Sequence, residues 1–239
     1  MTEQKKKKIY IGLPVYSGIE PKFFVNFLDL MIKRREGVTL EIETVAGESL
    51  VPRARNRLAA MFLKTDCDHL MFLDVDLVFS ADSIIKLMQH DDYDIWGGLY
   101  GIKNPNRVRW CANRLDGVEV DQFSGMLEVK HLGTGLMLIK RRVLERMRDE
   151  RPEIAYINES KDGKNEETMW DFFQCGVRKD LDGKMRYFSE DWCICHHARE
   201  MGMKTYADTS VLAGHVGSIV YPIKWDMESK KMHQMDANA

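Results

Sequence analysis

The first third of this 239-residue chain alternates between short apolar segments and longer amphipathic ones, and this alternation restricts the fold more than any other feature. Strand-like segments cover residues 9–13, 38–45 and 69–73. Helix-like segments cover residues 21–35, 53–64 and 83–89. The order β-α-β-α-β-α predicts a mostly parallel, doubly wound α/β sheet with right-handed crossovers.

The second half is less regular. Strands are predicted at residues 95–100, 127–132, 135–139, 205–207 and 211–213, and helices at residues 142–148 and 190–201. Ser189 is predicted to cap the last helix and Gly202 to end it. Residues 158–183 are polar and glycine-containing, which predicts a long loop of the kind that binds or closes over something. The chain has no internal repeat or linker, so one domain with an elaborated C-terminal half is expected.

Composition argues against some classes of function. Lys plus Arg (35) and Asp plus Glu (37) nearly cancel, so net charge gives no support to nucleic-acid binding. The apolar runs are strand-sized and fall short of a membrane-spanning helix, which needs about 18 residues. The N-terminus lacks the apolar core of a signal peptide. The five cysteines are odd in number and have no zinc-type spacing, so reduced thiols in a cytoplasm-like compartment are expected.

Two carboxylates, Asp74 and Asp76, interrupt the apolar run from Phe72 to Phe79. An unpaired buried carboxylate costs several kcal/mol, so this pair needs a cation or strong hydrogen-bond donors. A turn beginning at Asp74 can direct both side chains toward one ion. Mn²⁺ or Mg²⁺ suits such a site, because it can bridge carboxylates to diphosphate oxygens.

Ligands of doubly wound sheets bind beyond the carboxyl ends of the strands. Three such ends, at residues 14–17, 43–44 and 74–76, are therefore expected to meet in one crevice. We expect Pro14, Val15 and Tyr16 to line a nucleotide base, with Glu43 or Thr44 at its edge. Arg53 and Arg55 either bind diphosphate or ribose through their guanidinium groups or form the basic first turn of an exposed helix.

Several segments, taken in order over roughly residues 8–217, resemble those of GT-A-fold (DxD-containing) nucleotide-sugar glycosyltransferases. They are Ile9-Tyr10-Ile11-Gly12-Leu13-Pro14-Val15-Tyr16, Val51-Pro52-Arg53-Ala54-Arg55-Asn56, Asp74-Val75-Asp76, Gly133-Thr134-Gly135, Ser189-Glu190-Asp191-Trp192 and Ala213-Gly214-His215-Val216-Gly217. The resemblance implies a GT-A-like Rossmann-type sheet in one domain, residues 1–239. Residues 8–100 would form the nucleotide-binding half, 101–220 the acceptor and sugar half, and 221–239 a tail.

The resemblance also implies roles for particular residues. Asp76 and His215 would ligate a divalent metal, and Asp74 would hold it through water or bind the ribose. The donor would contact a wider set: Pro14, Val15, Tyr16, Glu43, Arg53, Arg55, Asp74, Val75, Gly133, Thr134 and Gly135. Asp191 would act as general base or acceptor anchor, with Glu190 supporting it. The dipole of the helix also favours acids at these two positions for purely structural reasons.

The predicted function is metal-dependent transfer of a sugar from a nucleotide-diphosphate sugar, with UDP favoured by the resemblance, to a glycan or other hydroxyl acceptor. Whether the reaction inverts or retains configuration is left open. A phosphatase of the haloacid dehalogenase type is one alternative, although its motif normally lies on the first strand. A sugar-nucleotide pyrophosphorylase would need a more glycine-rich loop than residues 15–20. A non-catalytic nucleotide- or carbohydrate-binding module of the same fold is the remaining alternative.

Overall fold

The computed structural model describes residues 6–34, 37–104, 109–159, 166–217, 220–221, 223–226 and 231–234. Its helices are α1 (Pro21–Lys33), α2 (Val51–Leu63), α3 (Ala81–Gln89), α4 (Arg141–Glu150) and α5 (Glu190–Glu200). Its first strands are β1 (Lys7–Val15), β2 (Val38–Ala46), β3 (His69–Leu73), β4 (Leu77–Val78), β5 (Ile95–Tyr100), β6 (Ala112–Arg114), β7 (Met126–Leu132) and β8 (Leu136–Lys140). The later strands are β9 (Ala155–Glu159), β10 (Glu166–Trp170), β11 (Gly176–Lys179), β12 (Met185–Phe188), β13 (Thr205–Val216), β14 (Val220–Tyr221), β15 (Ile223–Asp226) and β16 (Lys231–Gln234).

One ten-stranded sheet organises the described part of the chain. Its strands follow the order β2-β1-β3-β8-β5-β13-β7-β6, with β4 and β14 added beside β13. β1 pairs in parallel with β2 and β3, and β5 pairs in parallel with β13, whereas β8 and β7 run against their neighbours. The predicted class, a mostly parallel α/β sheet of Rossmann type, is confirmed.

The core is divided by this sheet into two layers. Leu58 and Phe62 of α2 pack with Leu144 of α4 and Ile194 of α5 on one face. Residues of α1 and α3, including Phe23, pack on the other. In β1, Ile9, Ile11 and Leu13 belong to the α1 layer and Tyr10 belongs to the α2 layer. This alternation follows from the two-residue period of a strand.

The predicted elements of the first third are confirmed, and the strands His69–Leu73 and Ile95–Tyr100 have the predicted bounds. Helix α1 ends at Lys33, two residues before the predicted end, and residues 35–36 lie outside the described chain. The strands predicted at 205–207 and 211–213 form the single strand β13, which is interrupted by an irregularity between Ala207 and Leu212.

The long loop predicted at residues 158–183 is wrong for the part of it that the structure describes, residues 158–159 and 166–183. Residues 160–165 lie outside the described chain. This region forms two antiparallel ribbons, β9 with β10 and β11 with β12. Most of their side chains are exposed or half-buried, so hydrophobicity does not mark the strand period. Gly183, at φ 81°, occupies the turn of the second ribbon. Within the described ranges, no helix is long and apolar enough to cross a membrane.

Candidate functional site

A cleft of about 490 Å³ opens beyond the carboxyl ends of β1 and β3. Residues 14–20, the first turns of α2, the segment 74–76 and the end of β13 form its walls. The cleft therefore brings together a set of predicted site residues: Pro14, Val15, Tyr16, Arg55, Asp74, Val75 and Asp76. Glu43 and Arg53 are absent from its lining. Arg53 is exposed and binds Glu48 through two nitrogens, at 2.7 and 2.8 Å, and Glu48 does line the cleft.

Arg55 lines the cleft but is buried, rather than lying on an exposed turn. Its side chain is only 3% exposed, and its Nη2 atom donates to Oδ1 and Oδ2 of Asp74 at 2.9 and 3.1 Å. Its Nε atom lies 3.6 Å from Oε1 of Glu190, and the guanidinium carbon lies 5.1 Å from the Phe72 ring centroid. Arg55 therefore links a carboxylate of the Asp74 turn to a carboxylate of α5.

The Gly133-Thr134-Gly135 segment packs against this link. The amide of Asp74 donates to the Gly135 carbonyl at 2.8 Å, and the amide of Gly135 donates to Oη of Tyr100 at 3.0 Å. A Cβ atom on Gly135 would lie 2.8 Å from Oδ2 of Asp74, so the close approach requires glycine. The buried hydroxyl of Thr134 donates to Oε1 of Glu190 at 3.2 Å. The segment thus positions the acidic residues from behind and does not line the cleft.

Asp76 lies at the other side of the cleft, next to His215. The two-residue strand β4 pairs with β13, which places Leu77 opposite His215, and the Val216 amide donates to the Asp76 carbonyl at 2.8 Å. As a result, Nε2 of His215 lies 3.3 Å from Oδ2 of Asp76. Nζ of Lys103, three residues after β5, lies 2.5 Å from the same oxygen.

The charge state of this group follows from its contacts. Burial raises the pKa of the Asp76 carboxyl, but hydrogen bonds from His215 and Lys103 outweigh it and hold the pKa at about 2. Nδ1 of His215 lies 2.9 Å from the Gly101 carbonyl oxygen. Because a carbonyl can only accept, Nδ1 carries a proton in this contact, and Nε2 faces the carboxylate.

The three predicted metal ligands do not form one tight cluster. In the described ranges, the one group of three ligand atoms within 4.8 Å of one another belongs to Glu41, Asp66 and Cys67, which lie away from the cleft. Asp66 there pairs with Lys8. In the cleft, Asp76 and His215 face each other, whereas both oxygens of Asp74 accept from Arg55.

Glu190 and Asp191 occupy the first turn of α5, as predicted. Burial, followed by the charge of Glu190, raises the pKa of the Asp191 carboxyl to about 6. Ser189 stands at the N-cap position, but its hydroxyl contacts Asp191 and accepts no backbone hydrogen bond, so the predicted side-chain cap is not formed. Trp192 is half-buried and stacks on His131, with ring centroids 4.4 Å apart.

Sequence reasoning missed two contributors to the site. Tyr100 is the last residue of β5, and Lys103 follows it by three positions. The sequence predicts this strand but does not indicate that its end reaches the crevice. The rule that ligands bind beyond strand ends could have found them, because β5 runs in the same direction as β1 and β3.

No protein-family model matches the sequence, and no curated protein is significantly similar to it. Solved structures do resemble it. The crystal structure of A197 from STIV matches with a TM-score of 0.55 and 20% identity, over 96% of this chain and 94% of that one. The crystal structure of GalNAc-T7 with UDP, GalNAc and Mn²⁺ matches with a TM-score of 0.53 and 12% identity, over 90% of this chain and 45% of that one. At these identities the likeness concerns the fold, which is GT-A-like.

Proposed function

We propose that this protein is a metal-dependent glycosyltransferase that moves a sugar from a nucleotide-diphosphate sugar to an acceptor hydroxyl. The observation that carries the proposal is one buried arginine that joins a carboxylate of the Asp74–Asp76 turn to a carboxylate at the start of α5. Arg55 contacts Asp74 on the cleft side and approaches Glu190 on the α5 side, so residues more than a hundred positions apart in sequence share one site. The GT-A-like fold supports the same conclusion, since GalNAc-T7 was solved with UDP, GalNAc and Mn²⁺.

Asp76 and His215 fit a divalent metal ion. Nε2 of His215 and Oδ2 of Asp76 lie 3.3 Å apart, so a metal ion that replaced the hydrogen-bonded proton between them would have one nitrogen and one oxygen ligand. Fixing the Nδ1 proton on a backbone carbonyl is also the usual way in which a protein orients a metal-binding histidine. Asp76 and His215 would hold Mn²⁺ or Mg²⁺, which supplies positive charge to a departing diphosphate. Asp74, already bound by Arg55, would be available to ribose hydroxyls.

The donor nucleotide would lie along residues 14–20. Tyr16 and Ile19 are exposed at the cleft and offer apolar surface to a base. We take UDP as the nucleotide, from the family resemblance together with the nucleotide present in the GalNAc-T7 structure. Residues 8–100 would then supply most of the donor site, and residues 101–220 the acceptor side, with a glycan or another hydroxyl compound as acceptor.

Asp191 would accept the proton of the acceptor hydroxyl if the reaction inverts configuration. A pKa of about 6 leaves this carboxyl ionised at neutral pH and close to the working pH, where a general base is most efficient. Glu190, held by Thr134 and Arg55, would position the acceptor beside it. The fold does not support the phosphatase alternative. The haloacid dehalogenase motif normally lies on the first strand, whereas Asp74 follows the third strand of this chain.

A thermal-shift panel of UDP, GDP, ADP and CDP, each with and without Mn²⁺, tests the proposal. One nucleotide at about 100 times its Kd should raise the Tm by about 5–10 °C, and only with metal. The matching nucleotide sugar should then be hydrolysed slowly, with Asp76→Asn inactive and Asp92→Asn, an exposed aspartate outside the cleft, unchanged. Absence of both stabilisation and hydrolysis for every nucleotide, or an Asp76→Asn variant of full activity, would refute it.

A further inference from the structure

Lys103 occupies the position from which a cation would meet Asp76. Its Nζ atom lies 2.5 Å from Oδ2 of Asp76, the same oxygen that faces Nε2 of His215. The side chains of Lys103 and Asp76 are 38% and 34% exposed, so this ion pair lies at the edge of the protein and not in its core. The ammonium group therefore neutralises the carboxylate when no other cation is bound.

Arg55 and Lys103 hold their aspartates in different ways. Arg55 is 3% exposed and its guanidinium lies against Phe72, so its contact with Asp74 is a fixed part of the fold. Lys103 is a point charge on a flexible four-carbon stem, and it can leave Asp76 by side-chain rotation alone. A lysine and a divalent cation on the same carboxylate oxygen repel each other, so they compete for it.

We propose that Lys103 is the exchangeable counter-ion of Asp76, which a divalent metal ion must displace. The inference rests on the metal site of the proposed function. It adds that the displaced ammonium turns to an anionic oxygen of the bound nucleotide diphosphate. Lys103 thereby weakens metal binding to the free protein and strengthens it when the nucleotide is present. Such coupling is reciprocal, so the metal ion strengthens nucleotide binding by the same factor.

Mn²⁺ titration, followed by the electron paramagnetic resonance signal of the free ion, tests the exchange without any turnover. In the absence of nucleotide, Lys103→Met should bind Mn²⁺ about tenfold more tightly than the wild type, as expected for removal of one repelling charge near the ion. Lys103→Arg, which keeps the charge, should remain close to the wild type. Lys204→Met is the matched control, because Lys204 also pairs with a carboxylate, Glu128, but far from the cleft.

Addition of UDP completes the test. UDP should increase Mn²⁺ affinity in the wild type and clearly less in Lys103→Met. The inference is overturned if Lys103→Met binds Mn²⁺ no more tightly than the wild type, or if Lys204→Met gives the same increase. Its failure is separable from failure of the proposed function. Unchanged Mn²⁺ affinity in Lys103→Met, together with normal hydrolysis of the nucleotide sugar, would refute the role of Lys103 as exchangeable counter-ion and leave the proposed function standing. Tighter Mn²⁺ binding in Lys103→Met, without hydrolysis of any nucleotide sugar by the wild type, would support that role and refute the transferase function.

Discussion

Arg55 approaches Asp74 from inside the protein, with one guanidinium nitrogen 2.9 and 3.1 Å from the two carboxylate oxygens. The arginine is buried, whereas the side chain of Asp74 is 25% exposed toward the cleft. The carboxylate is thus oriented by a donor that is itself almost fully buried. This arrangement makes Arg55 a positioning residue whose loss affects folding as well as binding.

Replacing Arg55 by methionine should lower the free energy of unfolding by about 3 kcal/mol, because it leaves the carboxylates of Asp74 and Glu190 without their shared partner. Urea denaturation measures this change. Arg57→Met, an exposed arginine on the same helix, should change stability by less than about 0.5 kcal/mol. Equal effects of the two substitutions would contradict the bridging role.

The raised pKa of Asp191 predicts a pH-dependent stability. The carboxyl titrates at about 6 in the folded protein and near 3.9 in the unfolded chain. Between these values the folded protein retains a proton that the unfolded chain has released, so the contribution of this group to stability falls as the pH rises from about 4 to 6. Asp191→Asn has no titratable carboxyl at this position, so its stability does not decrease for this reason over that pH range.

The unfolding free energy of Asp191→Asn, minus that of the wild type, should therefore rise by about 2 kcal/mol between pH 4 and pH 7. Denaturant titrations at several pH values measure it. Asp92→Asn, which removes an exposed carboxyl outside the site, is the matched control. A flat profile for Asp191→Asn would show that this carboxyl is not perturbed.

Gly135→Ala tests the close approach beneath Asp74. The added methyl group would lie 2.8 Å from Oδ2 of Asp74 and 2.8 Å from Oη of Tyr100. We expect a loss of about 1–3 kcal/mol in stability and weaker nucleotide binding, because Asp74 must move. Gly176→Ala is the control outside the cleft, since its methyl group would also meet nothing within 4 Å. Thermal unfolding and nucleotide titration compare the two, and unaltered nucleotide affinity in Gly135→Ala would count against a role for Asp74.

Thr134→Val tests the positioning of Glu190. The substitution keeps the shape of the side chain but removes the hydroxyl that donates to Oε1 at 3.2 Å. Turnover should fall about tenfold while the KM for the donor stays constant, because the donor side of the cleft is untouched. Thr134→Ser restores the hydroxyl that donates the hydrogen bond to Glu190, and it should recover turnover. A matching loss in the serine variant would assign Thr134 to packing alone.

The fold could be predicted from the sequence where burial gives a clear period. Residues of α2 such as Leu58 and Phe62 repeat at helical spacing, and β3 is apolar throughout. The ribbons β9–β10 and β11–β12 could not be predicted in this way, because the exposed residues Val177 and Tyr187 carry no signal of a buried face.

The candidate site was predictable at strand ends and less so behind them. Pro14 and Tyr16 lie at the end of β1, Asp74 and Asp76 follow β3, and the sequence pattern determines the direction of both strands. That Arg55 lies inside and Arg53 outside depends on the rotation of α2 against the sheet, which residue types alone do not fix. The position of Lys103 beside Asp76 depends on the neighbouring strands β5 and β13, whose order in the sheet differs from their order in the chain.

The short pairing of β4 with β13 has a consequence for biosynthesis. It joins Leu77 to His215 and Val78 to Gly214, near the end of β13. A nascent chain that has emerged only as far as α5 therefore has Asp76 but lacks its histidine partner. Ion binding at the proposed metal site should therefore begin only after residue 215 has left the ribosome, well after Asp76 itself.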